Sequence, residues 1–280
     1  MRAPRRLLVA AALALLAQAL GPMLAEAILV APHALFIDHR TRSAQLFLVN
    51  PGVVPEEVTI DLRYGYPDTD STGNVYVRLF DSIPPGAPAA TAWLRAFPRR
   101  VVVQPNERQT VRILASPPAD LGDGEYWSRL LVTARQVEGI TPGADTTVRA
   151  GVAVEVRTVL SVTYRKGSVR TLVERSEFRP SLTRDTLTVW VGLRRGGNAA
   201  YLGTLVISVV DLAGRVRARW DTPLAVYHDL RRRFVFPLET ALEPGSYFVR
   251  MRLTTQRDDL DQRNILPAPA VGDSAVVEVR

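Results

Sequence analysis

The sequence predicts an all-β protein made of two tandem sandwiches, and three observations lead to that prediction. After the first 27 residues, short runs of alternating or β-branched residues recur along the chain, separated by Pro, Gly, Asn and Asp. No stretch there keeps a 3.6-residue apolar period for long. A Leu-x-x-Gly-x-Tyr motif also occurs once in each half of the chain.

The segments with the pattern of strands are spaced as in sandwiches and barrels. They are 35–38, 44–50, 57–64, 75–80, 108–115, 126–135, 148–164, 186–194, 203–211, 216–220, 231–238, 246–255 and 274–279. The long strand that ends near Tyr164 precedes Lys166-Gly167-Ser168, where we expect the boundary between the two halves. The predicted domains are therefore 28–166 and 167–280.

The repeated motif indicates the type of sandwich. It reads Leu121-Gly122-Asp123-Gly124-Glu125-Tyr126 in the first half and Leu242-Glu243-Pro244-Gly245-Ser246-Tyr247 in the second. In immunoglobulin-like sandwiches, a tyrosine near the start of strand F bonds back to the backbone just upstream. Two such corners favour two tandem immunoglobulin-like sandwiches.

Two further segments share an Asp-x-x-Gly pattern between apolar runs. They are Asp70-Ser71-Thr72-Gly73-Asn74 and Asp211-Leu212-Ala213-Gly214-Arg215. Asp and Gly in this spacing are typical of tight hairpin turns.

The first residues have the pattern of a secretory signal peptide. Arg2, Arg5 and Arg6 precede an apolar run at 7–20, and Ala25-Glu26-Ala27 follows. The run is shorter than the roughly 20 residues that span a bilayer. We expect cleavage after Ala27, a periplasmic protein, and no membrane span in the mature chain.

Charge and cysteine content exclude several classes of function. The chain has 280 residues and a formal charge of +7, which falls to +5 without the predicted signal peptide. The basic residues are scattered, apart from Arg231, Arg232 and Arg233, so a nucleic-acid partner is not expected. There is no cysteine, and neither a disulfide framework nor thiol chemistry is available.

Residues suited to catalysis are few. His33 precedes the first predicted strand, His39 lies in a polar turn and His228 lies in a loop. No nucleophile or metal-site motif accompanies them. The segment 68–73 begins like a calcium loop, but Leu79 stands where the bidentate acid is required. The sequence therefore predicts no enzyme, no catalytic residue, no metal site and no cofactor.

The run from Val148 to Tyr164 is longer than a typical strand of five or six residues. Its even positions are apolar or small: Val148, Ala150, Val152, Val154, Val156, Thr158, Leu160, Val162 and Tyr164. One interpretation of this run is an ordinary final strand of the first sandwich that continues into the linker.

The order of motifs in the first half resembles that of the periplasmic pilus-assembly chaperones of the PapD type. The motifs are Ile28-Leu29-Val30-Ala31-Pro32, the strand 44–50, Pro98, the run Arg108-Gln109-Thr110-Val111-Arg112-Ile113, Tyr126-Trp127, and Val162-Thr163-Tyr164-Arg165. The resemblance covers about 28–166, whereas the second half looks like a generic immunoglobulin-like or fibronectin-type module.

The resemblance implies a binding site on the long strand. In that family the strand donates its apolar face to an incomplete exported subunit, a form of β-strand addition. By position the donating residues here are Ala150, Val152, Val154 and Val156. The family also holds the subunit's terminal carboxylate with an arginine and a lysine. The corresponding positions here are 32–34 and Val159, and Arg157 is the candidate anchor.

Two functions stay open on the sequence, and an enzyme is a distant third. The first is a periplasmic chaperone-like protein that binds an exported subunit of pilus or surface-assembly type by strand addition. The second is a structural tandem immunoglobulin-like component of a surface or secretion assembly, with the long strand wholly internal. Fold alone does not separate them.

Overall fold

The computed structural model describes residues 27–137 and 154–280, and the described chain is all-β. Residues 1–26 of the predicted signal peptide lie outside the described residues, as do Ala150 and Val152 of the predicted long strand. Within the described ranges, no helix is long and apolar enough to cross a membrane.

Eighteen strands and two short 3-10 turns, Thr91–Trp93 and Gln262–Asn264, make up the described structure. The strands are β1 (Leu29–Ala31), β2 (Ala34–Asp38), β3 (Ser43–Val49), β4 (Glu56–Arg63), β5 (Gly65–Thr69), β6 (Val75–Leu79), β7 (Leu94–Phe97), β8 (Arg100–Val103), β9 (Arg108–Ala115), β10 (Gly124–Gln136), β11 (Glu155–Lys166), β12 (Thr171–Leu182), β13 (Thr186–Gly197), β14 (Tyr201–Asp211), β15 (Val216–Val226), β16 (Leu230–Pro237), β17 (Gly245–Thr254) and β18 (Val271–Val279).

The first sandwich packs a sheet of order β1-β3-β9-β7 against a sheet of order β2-β11-β10-β4-β8. Alternate residues of both sheets point inward, so that Leu46, Val58, Val111 and Leu130 are fully buried in one core. The start of the chain contributes to both sheets, because β1 pairs with β3 whereas β2 pairs with β11.

The second sandwich packs a sheet of order β12-β13-β16 against a sheet of order β15-β14-β17-β18. Its core is separate and includes Leu187, Leu205, Ile207 and Val249, all fully buried. The predicted class of two tandem sandwiches is therefore confirmed. The predicted boundary falls on the turn at Gly167, between β11 and β12. That each half folds as an independent domain stays a prediction.

Both predicted tyrosine corners are present. The Tyr126 hydroxyl donates to the Gly122 carbonyl at 3.0 Å, and the Tyr247 hydroxyl donates to the Glu243 carbonyl at 2.9 Å. Each bond joins a strand to the loop just before it, as the two motifs predict.

One strand of the second sandwich was not expected from the sequence. Residues 171–182 form β12, although the sequence predicts no strand between 164 and 186. The alternation in this segment is hidden because the register shifts between Arg175 and Glu177 and because much of the strand is charged and exposed. Strands β1, β5, β7 and β8 were also missed, and each has five residues or fewer.

The two sandwiches meet through a third cluster, formed by Tyr64, Trp127, Ala200 and Tyr227, all buried. Beside it, the buried Glu125 carboxylate accepts hydrogen bonds from Trp127 Nε1 at 2.7 Å, from Arg165 Nε at 2.8 Å and from the Ala200 amide at 3.1 Å. Because Ala200 belongs to the second sandwich, this carboxylate connects the halves.

We predict that Tyr126→Phe and Tyr247→Phe each lower the free energy of unfolding by about 1 kcal/mol, because each removes one hydrogen bond of a corner. Urea denaturation measures the change. Tyr76→Phe is the control, since the Tyr76 side chain is exposed on the β5–β6 hairpin. Equal stability of all three variants and the unmodified protein would contradict a stabilising role for the corners.

Candidate strand-addition edge

Strand β11 is paired along its whole length on one side only. It pairs antiparallel with β10 from Glu155 to Lys166, but it pairs parallel with β2 only from Ser161 to Arg165. Among the residues that the structure describes, no strand pairs with 155–160 on the side of β2. Within residues 27–137 and 154–280, this half of β11 is an open sheet edge.

The direction of the main-chain groups follows from the bonds that β11 makes with the chain around β2. The Ser161 amide donates to the His33 carbonyl at 3.3 Å, and the Arg165 carbonyl accepts from the His39 amide at 3.0 Å. Both β11 residues have odd numbers, and in a strand the hydrogen-bonding groups of alternate residues point to the same side. The N–H and C=O groups of Glu155, Arg157 and Val159 therefore point to the open edge.

The inward face of β11 is covered in one half of the strand and uncovered in the other. Leu160, Val162 and Tyr164 are 0 to 1% exposed in the core. Val156 is 37% exposed and Val154, just before the strand, is 50% exposed, although both have the same parity. The apolar face thus continues past the end of the covered core.

The outward face at the edge is mainly polar. The Arg157 guanidinium lies 3.1 Å from the Glu155 carboxylate and donates from Nε to Thr133 Oγ1 at 3.2 Å. Further into the sheet, hydrogen bonds from Arg135 and Arg100 hold the pKa of the Glu57 carboxyl below its usual range. The inward face of the edge therefore carries Val154 and Val156, whereas the outward face carries the Glu155–Arg157 pair and the partly exposed Val159.

A buried carboxyl lies at this end of the core. Glu56 is 5% exposed and has the inward parity of Val58 and Ile60, and it pairs across the sheet with Gln136, the last residue of β10. Burial raises the pKa of Glu56, and a hydrogen bond from the Ile28 backbone opposes that rise. The uncovered valines are thus close in register to a buried carboxyl group whose pKa is raised.

The structure describes part of the predicted binding set. Val154, Val156 and Arg157 lie at the open edge, whereas Ala150 and Val152 are outside the described residues. Arg157 is exposed on the face opposite to the two valines, so it is placed to contact an outward group of a partner. The partner-binding roles of all five residues stay predictions.

The sequence does not predict that N–H and C=O groups of β11 face an open edge. Their position depends on where β2 stops pairing, which no residue pattern on β11 reveals. Glu56 was also missed because a charged residue at the start of a strand usually indicates a solvated position. A signal was present in its inward parity with Val58 and Ile60.

No protein-family model matches the sequence, and no curated protein matches it. Solved structures similar to this chain include the CupB2 chaperone of Pseudomonas aeruginosa, with 13% identity over 88% of this chain and 98% of that one and a TM-score of 0.40. The YadV chaperone has 13% identity over 89% and 98%, with a TM-score of 0.45.

The CsuC-CsuE chaperone and tip adhesion subunit complex from the Csu pili of Acinetobacter baumannii is a third example. It has 10% identity over 90% of this chain and 98% of that one, with a TM-score of 0.44. At such identities and TM-scores the likeness does not define a function, so the case for one depends on the edge itself.

We predict opposite pH dependences for Glu56→Gln and Glu57→Gln. A raised carboxyl pKa in the folded state means that the contribution of Glu56 to stability falls as the pH rises above the usual glutamate pKa of about 4.3. The lowered pKa of Glu57 means that its contribution increases as the pH rises towards the usual glutamate pKa and is almost fully present above about pH 5. Relative to the unmodified protein, Glu56→Gln should therefore gain stability as the pH rises from about 4 to 7, whereas Glu57→Gln should lose stability as the pH rises from about 3 to 5.

Urea denaturation of the three proteins at several pH values from about 3 to 7 measures these differences. The neighbouring glutamates serve as controls for each other, since they lie on opposite faces of the same strand. A Glu56→Gln variant that loses stability with rising pH, relative to the unmodified protein, would show that burial does not raise the pKa of this carboxyl.

Proposed function

We propose that this protein is a periplasmic chaperone-like protein that captures an exported subunit by β-strand addition at the open edge of β11. The subunit is of the pilus or surface-assembly type that the sequence resemblance implies. The observation that supports this most is the pairing of β11 with β2 over Ser161–Arg165 alone, which leaves 155–160 open beside exposed valines.

The main chain supplies the first part of the binding energy. Three N–H and three C=O groups, those of Glu155, Arg157 and Val159, are available to an incoming strand. Each bond that replaces a bond to water contributes about 0.5 to 1.5 kcal/mol. Six residues of strand span roughly 20 Å, the length of an average strand. The edge therefore accommodates one short strand next to the start of β2.

The side chains specify the kind of strand that fits. Completing the burial of Val154 and Val156 removes about half of one valine side chain in each case from water, which is worth roughly 1 kcal/mol each. On the other face, the strand meets the Glu155–Arg157 pair. A matching segment alternates apolar residues inward with polar residues outward.

An exposed apolar edge also needs an explanation in a monomer. Natural sheets protect their edges with prolines, bulges or inward-pointing charges, because open edges pair with other chains. The inward positions at this edge carry Val154 and Val156 instead. Such an edge is expected where pairing with another chain is the function.

One observation favours the alternative function, a structural component in which the long strand is internal. The inward residues Leu160, Val162 and Tyr164 complete the core of the first sandwich, so this half of β11 is internal. A structural component would use the strand in this way throughout. The two functions therefore differ in what covers Val154 and Val156.

We predict that Val154→Asp removes capture of the partner and leaves the melting temperature nearly unchanged, because an exposed position tolerates a charge. Val162→Asp is the matched control on the same face. It buries an unpaired carboxylate at a position that is 1% exposed and should unfold the sandwich. Circular dichroism measures the melting temperatures.

Capture is measured in exporting cells with a photo-reactive amino acid at Val159, and the cross-linked protein is identified by mass spectrometry. The same label at Val276, which is 60% exposed in the second sandwich, serves as the background. Cross-linking of an exported subunit at Val159 that Val154→Asp removes supports the proposal. Cross-linking that survives the substitution, or equals the background, favours the structural reading.

Two substitutions at Arg157 separate the main chain from the guanidinium. Arg157→Pro removes an N–H that points to the open edge and keeps the bonds to β10, so it should abolish capture. Arg157→Ala removes only the side chain and should weaken capture severalfold if the guanidinium binds a carboxylate of the partner. Normal capture by Arg157→Pro would contradict strand addition, and normal capture by Arg157→Ala would contradict the anchor.

A further inference from the structure

The two Asp-x-x-Gly turns have nearly the same geometry. The Gly73 amide donates to the Asp70 carbonyl at 3.0 Å, and the Gly214 amide donates to the Asp211 carbonyl at 3.0 Å. Both glycines have a φ of +82°, a left-handed conformation that disfavours other residues. An aspartate carboxylate accepts the amide of the fifth residue in each turn, at 2.9 Å and 2.8 Å.

Their surroundings are different. Gly214 has no atom within 4 Å of the position that a Cβ would take. At Gly73 that position lies 2.6 Å from the Arg233 backbone nitrogen and 2.7 Å from Cζ3 of the Trp190 ring. The turn of the β5–β6 hairpin, which belongs to the first half of the chain, therefore touches the second sandwich with no space for a side chain.

The contact is made at a strand edge. Strand β16 is the last strand of the β12-β13-β16 sheet. The Arg233 amide donates to the Gly73 carbonyl at 3.0 Å, so it points away from β13. The hairpin turn thus supplies an acceptor to the open side of β16.

The base of the same hairpin also packs at the junction of the sandwiches. The Tyr66 ring stacks on Tyr227 at a centroid distance of 6.5 Å and lies 4.4 Å from the His228 ring. Arg129 Nε donates to the Gly65 carbonyl at 3.1 Å, and its guanidinium lies 5.0 Å from the Tyr227 ring. The hairpin is therefore held at both of its ends.

We infer that the β5–β6 hairpin is a clamp that caps the edge of β16 and fixes the orientation of the second sandwich relative to the first. The inference goes beyond strand addition at β11 and does not depend on it. A hairpin that is bonded at its turn and packed at its base resists rotation of one sandwich relative to the other. Either contact alone would allow the sandwiches to rotate about that contact. The cap also covers the centre of an edge that otherwise invites pairing.

The test is Gly73→Ala, with Gly214→Ala as the matched control. Both substitutions place an alanine at the same φ in the same type of turn, so both carry the same backbone strain. Only Gly73→Ala pushes a methyl group into Arg233 and Trp190. The difference between the variants reports the loss of docking.

The first measurement is hydrogen exchange at the Arg233 amide. The clamp predicts that this amide is protected in the unmodified protein and in Gly214→Ala, and that it exchanges about tenfold faster or more in Gly73→Ala, as a locally opened bond does. Equal exchange in the two variants would overturn the inference.

The second measurement is the distance between spin labels on the two sandwiches. The chain has no cysteine, so labels can be placed at Val53→Cys and Val276→Cys, which are 74% and 60% exposed. A broader distance distribution in Gly73→Ala than in Gly214→Ala supports the clamp. Equal distributions would overturn its role in orientation.

Trp190→Ala is a second variant that tests the inference if Gly73→Ala does not fold. It removes the ring beside the turn and leaves the hairpin sequence intact, so it should give the same faster exchange and broader distances on a smaller scale. A folded Trp190→Ala with unchanged exchange and distances would also overturn the inference.

Discussion

The hydrogen-bonding needs of β11 are the constraint on which the rest of this structure depends. Every inner strand of a sheet must satisfy main-chain groups on two sides. Strand β11 does so against β10 along its length, but against β2 only over Ser161–Arg165. The covered half completes the core and ends at the junction with the second sandwich, where Arg165 binds Glu125. Over 155–160 the described chain supplies no second partner strand, and this is the edge to which we assign strand addition.

This division explains how one strand can serve both stability and binding. One half of β11 is packed into the core through Leu160, Val162 and Tyr164. The edge therefore belongs to a strand whose position is already fixed. A rigid edge loses little conformational entropy when another strand binds to it, which leaves more of the bond energy for affinity. The buried Glu56 and the two exposed valines lie on the same face of the sheet, since all have inward parity.

Much of the fold could be predicted from the sequence because its signals are local. The tyrosine corners and the Asp-x-x-Gly turns each depend on a few neighbouring residues, and the structure confirms them. Strand β12 could not be predicted because a register shift between Arg175 and Glu177 interrupts its alternation. The docking of Gly73 on Arg233 was equally hidden, since nothing distinguishes that turn from the turn at Gly214 until the two sandwiches are placed together.

The candidate site also depends on pairing between distant segments, which a local sequence pattern does not reveal. The parity of Val154, Val156, Leu160 and Val162 follows from the sequence, but parity is the same for a donated strand and an internal one. The length of β2 distinguishes a strand with an open edge from a wholly internal one. Extending the parallel register by two residues sets Pro32 opposite Val159. The chain there passes to β1, whose Ala31 pairs with Phe47 in the other sheet. In the described chain, the edge of β11 is therefore open because the strand that could close it begins only at Ala34.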